Sequence, residues 1–158
     1  MTTDKLFMGT ALCKVEFDGT MLLPEFVRVS LAARSNESGI LLGSHEVDAC
    51  VTGYDPAQAL ALQEECRRRR IAEEASRPGA SHARDRRVFG LLHAIEVDAD
   101  GRCVLPDLLR RRARIRDKAL IVGTGDSFEI WSAQVALYGH DTGMRALAAL
   151  SLEAAHAA

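Results

Sequence analysis

The chain has 158 residues with 20 Lys and Arg against 22 Asp and Glu, giving a net charge of −2 and an apolar share of 47%. That size and balance fit one compact unit or two small ones. No run of about 18 apolar residues is available to cross a bilayer, and the opening MTTDKLFMGT lacks the basic stretch and apolar core of a secretory signal, so a soluble cytoplasmic chain is expected. Cys13, Cys50, Cys66 and Cys103 stand singly, without the paired spacing that brings two thiolates to one zinc, and are read as buried reduced thiols. The histidines, His45, His82, His93, His140 and His156, are scattered, so neither a metal nor a cofactor is expected.

In chain order, the first predicted unit is a short apolar strand ending at Val15, a turn at Asp18-Gly19, a second strand, and Pro24, where strand gives way to helix. Glycine takes the positive φ of a tight turn, and proline lacks the donor that a strand ladder needs but suits a helix start. Glu25-Phe26-Val27 supplies an acidic first turn and an apolar face, and the strands Gly39–Gly43 and Ala49–Thr52 follow. The next predicted element is an exposed helix, Pro56 to Ala75, with Ala59, Leu62 and Cys66 on one modest apolar face. Ser76-Arg77-Pro78-Gly79-Ala80-Ser81 reads as a flexible break, and Arg84 to Leu92 as a further helical turn.

The first unit then returns. Residues 97–110, V-D-A-D-G-R-C-V-L-P-D-L-L-R, align without gaps on residues 15–28, V-E-F-D-G-T-M-L-L-P-E-F-V-R, at an offset of 82. Val, Asp, Gly, Leu, Pro and Arg coincide, Arg28 with Arg110 among them. A strand pair, Ala119–Gly123 and Phe128–Trp131, completes the second copy. Gly123-Thr124-Gly125-Asp126 is read as a hairpin turn rather than a phosphate loop, because the chain continues into Phe128-Glu129-Ile130 and not into a helix. Ser132 is placed to cap a short helix ending at Gly139, and Met144 to Ala157 is alanine-rich and helical, with Met144, Leu147 and Leu150 as its packing stripe. Four short strands per copy cannot enclose a core, so the copies should share one.

Charge is segregated along this plan. Residues 1–66 hold 4 basic and 10 acidic groups, residues 67–118 hold 15 and 8, and residues 119–158 hold 1 and 4. A basic middle attracts a phosphate backbone through counterion release, although a run such as Arg67–Arg70 is also what a solvated helix face looks like.

The second turn, Asp98-Ala99-Asp100-Gly101-Arg102, leads into Cys103-Val104-Leu105-Pro106. This D-x-x-x-R, short strand and proline on a duplicated unit, with Phe7-Met8-Gly9 near the start and the run Val122 to Trp131 downstream, resembles the MraZ family, the duplicated member of the AbrB-like bacterial DNA-binding proteins. The resemblance implies an α+β, mainly β fold: a double-split, swapped-hairpin β-barrel of two AbrB-like repeats, residues 1–55 and 87–133, with a helical connector over 56–86 and C-terminal helices over 134–158. It further implies a ring-shaped homo-oligomer on the nucleoid that binds repeated double-stranded DNA sites upstream of the cell-division and cell-wall gene cluster and regulates transcription. No membrane and no small-molecule substrate are implied.

On this resemblance Arg102 contacts DNA, Gly101 shapes its turn, and Asp98 holds either that turn or Arg102 itself. The first copy departs from the pattern, since Glu16 stands for the aspartate and Thr20 for the arginine. A hydroxyl offers one donor without charge, whereas a guanidinium offers a planar fork matched to phosphate or guanine. First-copy contact therefore depends on Thr20 alone or on a neighbouring base such as Lys14. A second departure follows Pro106, where the helix of the second copy runs into Arg112-Ala113-Arg114-Ile115. A left-handed cap at Arg114 would cost roughly 1 kcal/mol relative to glycine. The basic residues Arg110, Arg111, Arg112, Arg114 and Arg116 are available to touch phosphates or the acidic half of a neighbour. The rival reading is a module that has lost DNA affinity and co-assembles with an intact regulator. Catalysis has no positive support, since His140-Asp141 has no nucleophile beside it.

Overall fold

Pro24 and Pro106 each stand where a strand becomes a helix, and their carbonyls accept the first helical bonds, from Val27 and Arg28 at Pro24 and from Arg110 at Pro106. The computed structural model describes residues 3–35, 37–79 and 82–157. In the first repeat β1 (Thr10–Lys14), β2 (Thr20–Leu22), α1 (Glu25–Arg34), β3 (Ile40–Ser44) and β4 (Val51–Tyr54) follow one another. The second repeat has β5 (His93–Ile95), β6 (Arg102–Val104), α4 (Asp107–Arg112), β7 (Lys118–Gly123) and β8 (Phe128–Ser132). Between them stand a 3-10 turn (Pro56–Gln58), α2 (Ala59–Ser76) and α3 (Ala83–Phe89), and after them α5 (Ala133–Tyr138) and α6 (Thr142–Ala157).

The fold is α+β, with antiparallel pairing throughout. Six strands run in the order β1-β7-β8-β4-β3-β5, and β2 pairs with β6 in a separate two-stranded ribbon. The hairpins predicted at the two Asp-Gly turns are local only at their tips. Val15 bridges Met21, but beyond that bridge β1 pairs with β7 and β2 with β6 of the other repeat. Reciprocally, β5 pairs with β3. Met21 faces Cys103, its own equivalent at the offset of 82. Beyond the helices the offset shortens to 79, since the pair Ile40–Ile95 recurs as Ala119–Cys13, and Val51 there faces its equivalent Ile130. The two repeats are thus related by an approximate twofold passing through both contacts.

One core serves both repeats. Met21, Leu23, Cys103 and Leu105 of the ribbon region pack with Val27 and Leu109 of the helices and with Ile40, Ile121, Phe128 and Ile130 of the sheet. Phe7 and Phe128 meet in it at 5.2 Å. On the other face of β7, Leu120 and Val122 bury against Trp131, Ala136, Met144 and Ala148, so the C-terminal helices cover their own sheet.

Several expectations need revision. The helix predicted from Pro56 is a 3-10 turn capped by Asp55 followed by α2, and α3 ends at Phe89 rather than Leu92. The flexible break predicted over 76–81 falls partly outside the described residues, at Ala80 and Ser81, while Ser76 closes α2. Leu150 is no part of the packing stripe, being 63% exposed, and Ala148 takes its place. Ser132 does cap α5, accepting from the Val135 N–H, and Thr124 to Ser127 form the β7–β8 turn. Among the described residues no helix is long and apolar enough to cross a membrane, and no three His, Cys, Asp or Glu side chains gather as a metal site would require.

Candidate nucleic-acid interface

The second turn is pinned by one carboxylate. Asp98 Oδ1 accepts from the backbone N–H groups of Asp100 and Arg102, both at 2.9 Å. The Asp98 N–H donates to the Arg102 carbonyl at 2.9 Å, and the Gly101 N–H donates to the Asp98 carbonyl at 3.0 Å. Of the two roles open to Asp98, the structure places it on the turn backbone; the Arg102 guanidinium meets Asp100 instead, at 3.5 Å, on the surface. Gly101 has φ +88°, and a Cβ there would lie 2.4 Å from Cδ of Arg28. The arginine common to both repeats therefore braces the opposite repeat's turn. Arg110, its equivalent, reaches the first turn through the Phe17 carbonyl (2.9 Å) and binds the end of its own helix through the carbonyls of Ile115 (3.1 Å) and Arg116 (2.7 Å).

In the first turn the bracing duty moves by two residues. Asp18, not Glu16, accepts from the Thr20 N–H at 2.9 Å, and these hydrogen bonds hold the Asp18 carboxyl below its ordinary range. The Glu16 carboxylate turns away to Lys14, 3.4 Å from its Nζ in an exposed pair. Lys14 therefore stands near Thr20 but already meets an anion.

On the ribbon Thr20 faces Val104 and Leu22 faces Arg102. Met21 and Cys103 are buried in the core, while Leu22, Arg102 and Val104 lie exposed and Thr20 is half-buried. Lys14, Glu16, Thr20 and Arg102 share one groove with Leu22, Glu25 and Arg28. Asp98 and Gly101 line a separate hollow with Arg28, behind the ribbon. Chemically, the groove offers two guanidiniums, Arg102 in weak surface contact and Arg28, with one hydroxyl and an ammonium in an exposed ion pair. That set suits hydrogen bonding to phosphate oxygens and base edges.

The basic middle contributes less than its sum suggests. Arg67 and Arg68 pair with Glu64 and Glu65, Arg69 with Glu65 and Glu46, and Arg70 with Asp85. Arg84 reaches Glu46 and Glu73. Five connector arginines are thus held in ion pairs, two of them with Glu46 of the first repeat. Of the α4 arginines, Arg111 pairs with Asp107 and Arg112 donates to Ser44.

Sequence reasoning missed two features. Arg28 and Arg110 act as turn braces, and their coincidence in the repeat alignment was the available signal. Phe17 stands fully exposed on the first tip where the second repeat has Ala99.

Comparison with known proteins finds MraZ proteins similar to the chain. The family model described as "MraZ protein, putative antitoxin-like" matches residues 88–135, which hold the second turn and the sheet strands after it. Proteins named "Transcriptional regulator MraZ" match much more of the chain. That of Saccharophagus degradans is 28% identical over 129 residues, 82% of this chain and 84% of its own length. That of Marinobacter nauticus is 25% identical over 128 residues, 81% and 82% respectively, and that of Shewanella amazonensis is 29% identical over 127 residues, 80% and 79%.

Proposed function

We propose that this relative of the MraZ proteins is a DNA-binding transcriptional regulator that reads repeated promoter sites through the exposed face of its β2–β6 ribbon. The observation that carries the reading is Arg102: half exposed, held on a ribbon whose inner face is locked in the core, and preceded by a turn that Asp98 fixes through four hydrogen bonds. Such preorganisation lowers the entropy lost on binding. In this reading the ribbon closes the two ends of the sheet into a double-split barrel, a view supported by the core that joins Met21, Leu23, Cys103 and Leu105 to the sheet strands.

One guanidinium per chain is a small contact for a regulator. Repetition around a ring-shaped homo-oligomer, set against direct repeats in the DNA, multiplies it through effective concentration. The targets proposed are sites upstream of the cell-division and cell-wall gene cluster, which places the protein on the nucleoid.

The test is footprinting on the DNA upstream of the chain's own gene, with oligomeric mass measured in parallel and affinity taken across a salt series for wild type and Arg102→Ala. Losing a well-placed guanidinium should cost about 1 to 3 kcal/mol per site and reduce the salt slope. Unchanged affinity and slope exclude Arg102 as the contact. The rival role, co-assembly with an intact regulator, is favoured by the uncharged Thr20 and by the Lys14–Glu16 pair; mixed oligomers in co-purification, without footprinting, would select it.

A further inference from the structure

We propose that the first hairpin tip, although it lacks the motif arginine, is a second DNA contact of different chemistry: the Phe17 ring enters a base step as an apolar wedge while Arg114 and Arg116 hold the adjoining phosphates. This rests on the DNA-binding reading above and extends it to a part of the surface that the motif does not reach.

Phe17 is 100% exposed. A lone exposed apolar residue needs no explanation, but this one is rigidly presented in a cationic setting. Its carbonyl accepts from Arg110 Nη1 at 2.9 Å, the Thr20 N–H on one side of it is held by Asp18, and Glu16 and Gly19 close the turn at 2.9 Å. The tip rises beside a broad groove lined by Lys14, Arg110, Arg111, Arg114 and Arg116, with Glu16, Asp107 and Asp117 as its anions. Lys14, Arg110 and Arg111 already have partners. Arg114 and Arg116 are exposed, and among the described residues neither guanidinium meets a carboxylate.

Arg114 also holds the one positive φ outside glycine among the described residues, +57°. Glycine fits that helix cap better, so an arginine there keeps a cation at the cost of backbone strain, and retained strain of this kind marks functional positions. The corresponding hollow beside the second turn contains only Arg28 as a cation, with Glu37 and Asp98. The added positive charge therefore stands beside the turn that lacks its arginine. Charge complementarity selects a polyanion, and continuity with the ribbon face carrying Thr20 and Arg102 selects the duplex already bound there. Exposed phenylalanine next to phosphate-binding cations is the arrangement with which proteins unstack and kink a base step.

The experiment uses the full chain and the upstream duplex that it footprints, with wild type, Phe17→Ser, Arg114→Gly/Arg116→Gln and Arg102→Ala compared across a salt series. 2-Aminopurine placed at successive steps of the site reports unstacking. Phe17→Ser should weaken binding about tenfold with the salt slope unchanged, because an uncharged stack is lost, and should abolish the 2-aminopurine brightening. The arginine pair should lower the salt slope by about 2. Neither change removes a packed side chain, and melting curves at matched concentration confirm folding.

If Phe17→Ser and the arginine pair bind as wild type does while Arg102→Ala weakens, the wedge is wrong and the ribbon reading stands. If the wild type binds no duplex, both fall. If Phe17→Ser changes oligomeric mass and leaves DNA affinity alone, the tip is a subunit contact and the inference is overturned.

Discussion

Replacing Arg114 by glycine should relieve backbone strain at a helix end and leave the protein more stable than Arg114→Ala, which removes the same charge but keeps the strain. The last turn of α4 closes through two reversed bonds, Arg114 N–H to the Arg111 carbonyl at 3.1 Å and Ile115 N–H to the Arg110 carbonyl at 3.0 Å, the double closure of a Schellman cap. Ile115, next along, is 4% exposed in the core, so the reversal cannot relax without withdrawing it. An L side chain in the left-handed region costs about 1 to 2 kcal/mol. Glycine gives back about 0.5 to 1 kcal/mol of this through its larger entropy loss on folding. The backbone gain is about 0.5 to 1 kcal/mol, equivalent for a chain of this size to about 1 to 4 °C in Tm before the lost charge is subtracted.

Charge must be separated from backbone. A cation at a helix C-terminus is worth about 0.3 to 1 kcal/mol at low salt, and Arg114→Ala loses it while keeping the Cβ. The measured quantity is therefore the difference between the glycine and alanine variants, about 1 kcal/mol in favour of glycine, read from urea and thermal unfolding by circular dichroism at one protein concentration. Equal stability of the two variants would refute the claim that the cap is strained.

Three further outcomes follow from the packing and the thiols. Gly53→Ala should destabilise by about 1 to 3 kcal/mol in urea, because a Cβ there falls 2.1 to 2.6 Å from three atoms of the buried Phe128 ring; Phe128→Leu in the same chain should recover part of the loss, and simple additivity would argue against the clash. The Asp18 carboxyl, held down chiefly by the Thr20 backbone N–H, stabilises the first tip above the ordinary aspartate range and ceases to as pH falls through its lowered value; a carboxyl NMR titration with a midpoint at or above the ordinary aspartate value counts against this. Burial pushes the Cys13 and Cys103 thiols up to about 11 and raises Cys50 and Cys66 as well, so alkylation at pH 8 should be slow in the native protein and fast for all four after denaturation; rapid native labelling of Cys103 would contradict its burial.

Local chemistry made the elements legible. An Asp-Gly turn, a proline at each strand end and a serine at a cap act within a few residues, and each produced the element that it implied. Pairing is another matter: alternation in Thr20-Met21-Leu22 states which residue is buried but not which strand lies alongside, and only the duplication hinted that β6 would. The Arg67–Arg70 run lies on an exposed helix face, the plainer of its two readings. Its anions Glu46, Glu64 and Glu65 fall before residue 67, so a charge sum over 67–118 counts those cations without them. Leu150 failed on helical geometry. At 100° per residue, two steps of three turn it about 120° away from Met144, whereas Ala148 stays within about 40°.

The site was legible on one side of the molecule and not on the other, and the approximate twofold explains why. Where equivalents face each other, at Met21–Cys103 and Val51–Ile130, each residue must fit its own counterpart in a shared core, so divergence there is confined to apolar types that pack. Away from that axis the tip residues face partners other than their equivalents, Thr20 opposite Val104 and Leu22 opposite Arg102. Arg102 could become Thr20, Ala99 could become Phe17, and the helix of one repeat could shorten and end on Arg114, each without disturbing the core. A repeat alignment therefore recovers the interior from either copy but loses the surface wherever one copy changes its chemistry. The positions at which it loses the surface, Phe17, Thr20 and Arg114, lie on or beside one tip, which is where a binding face free of the twofold constraint would be found.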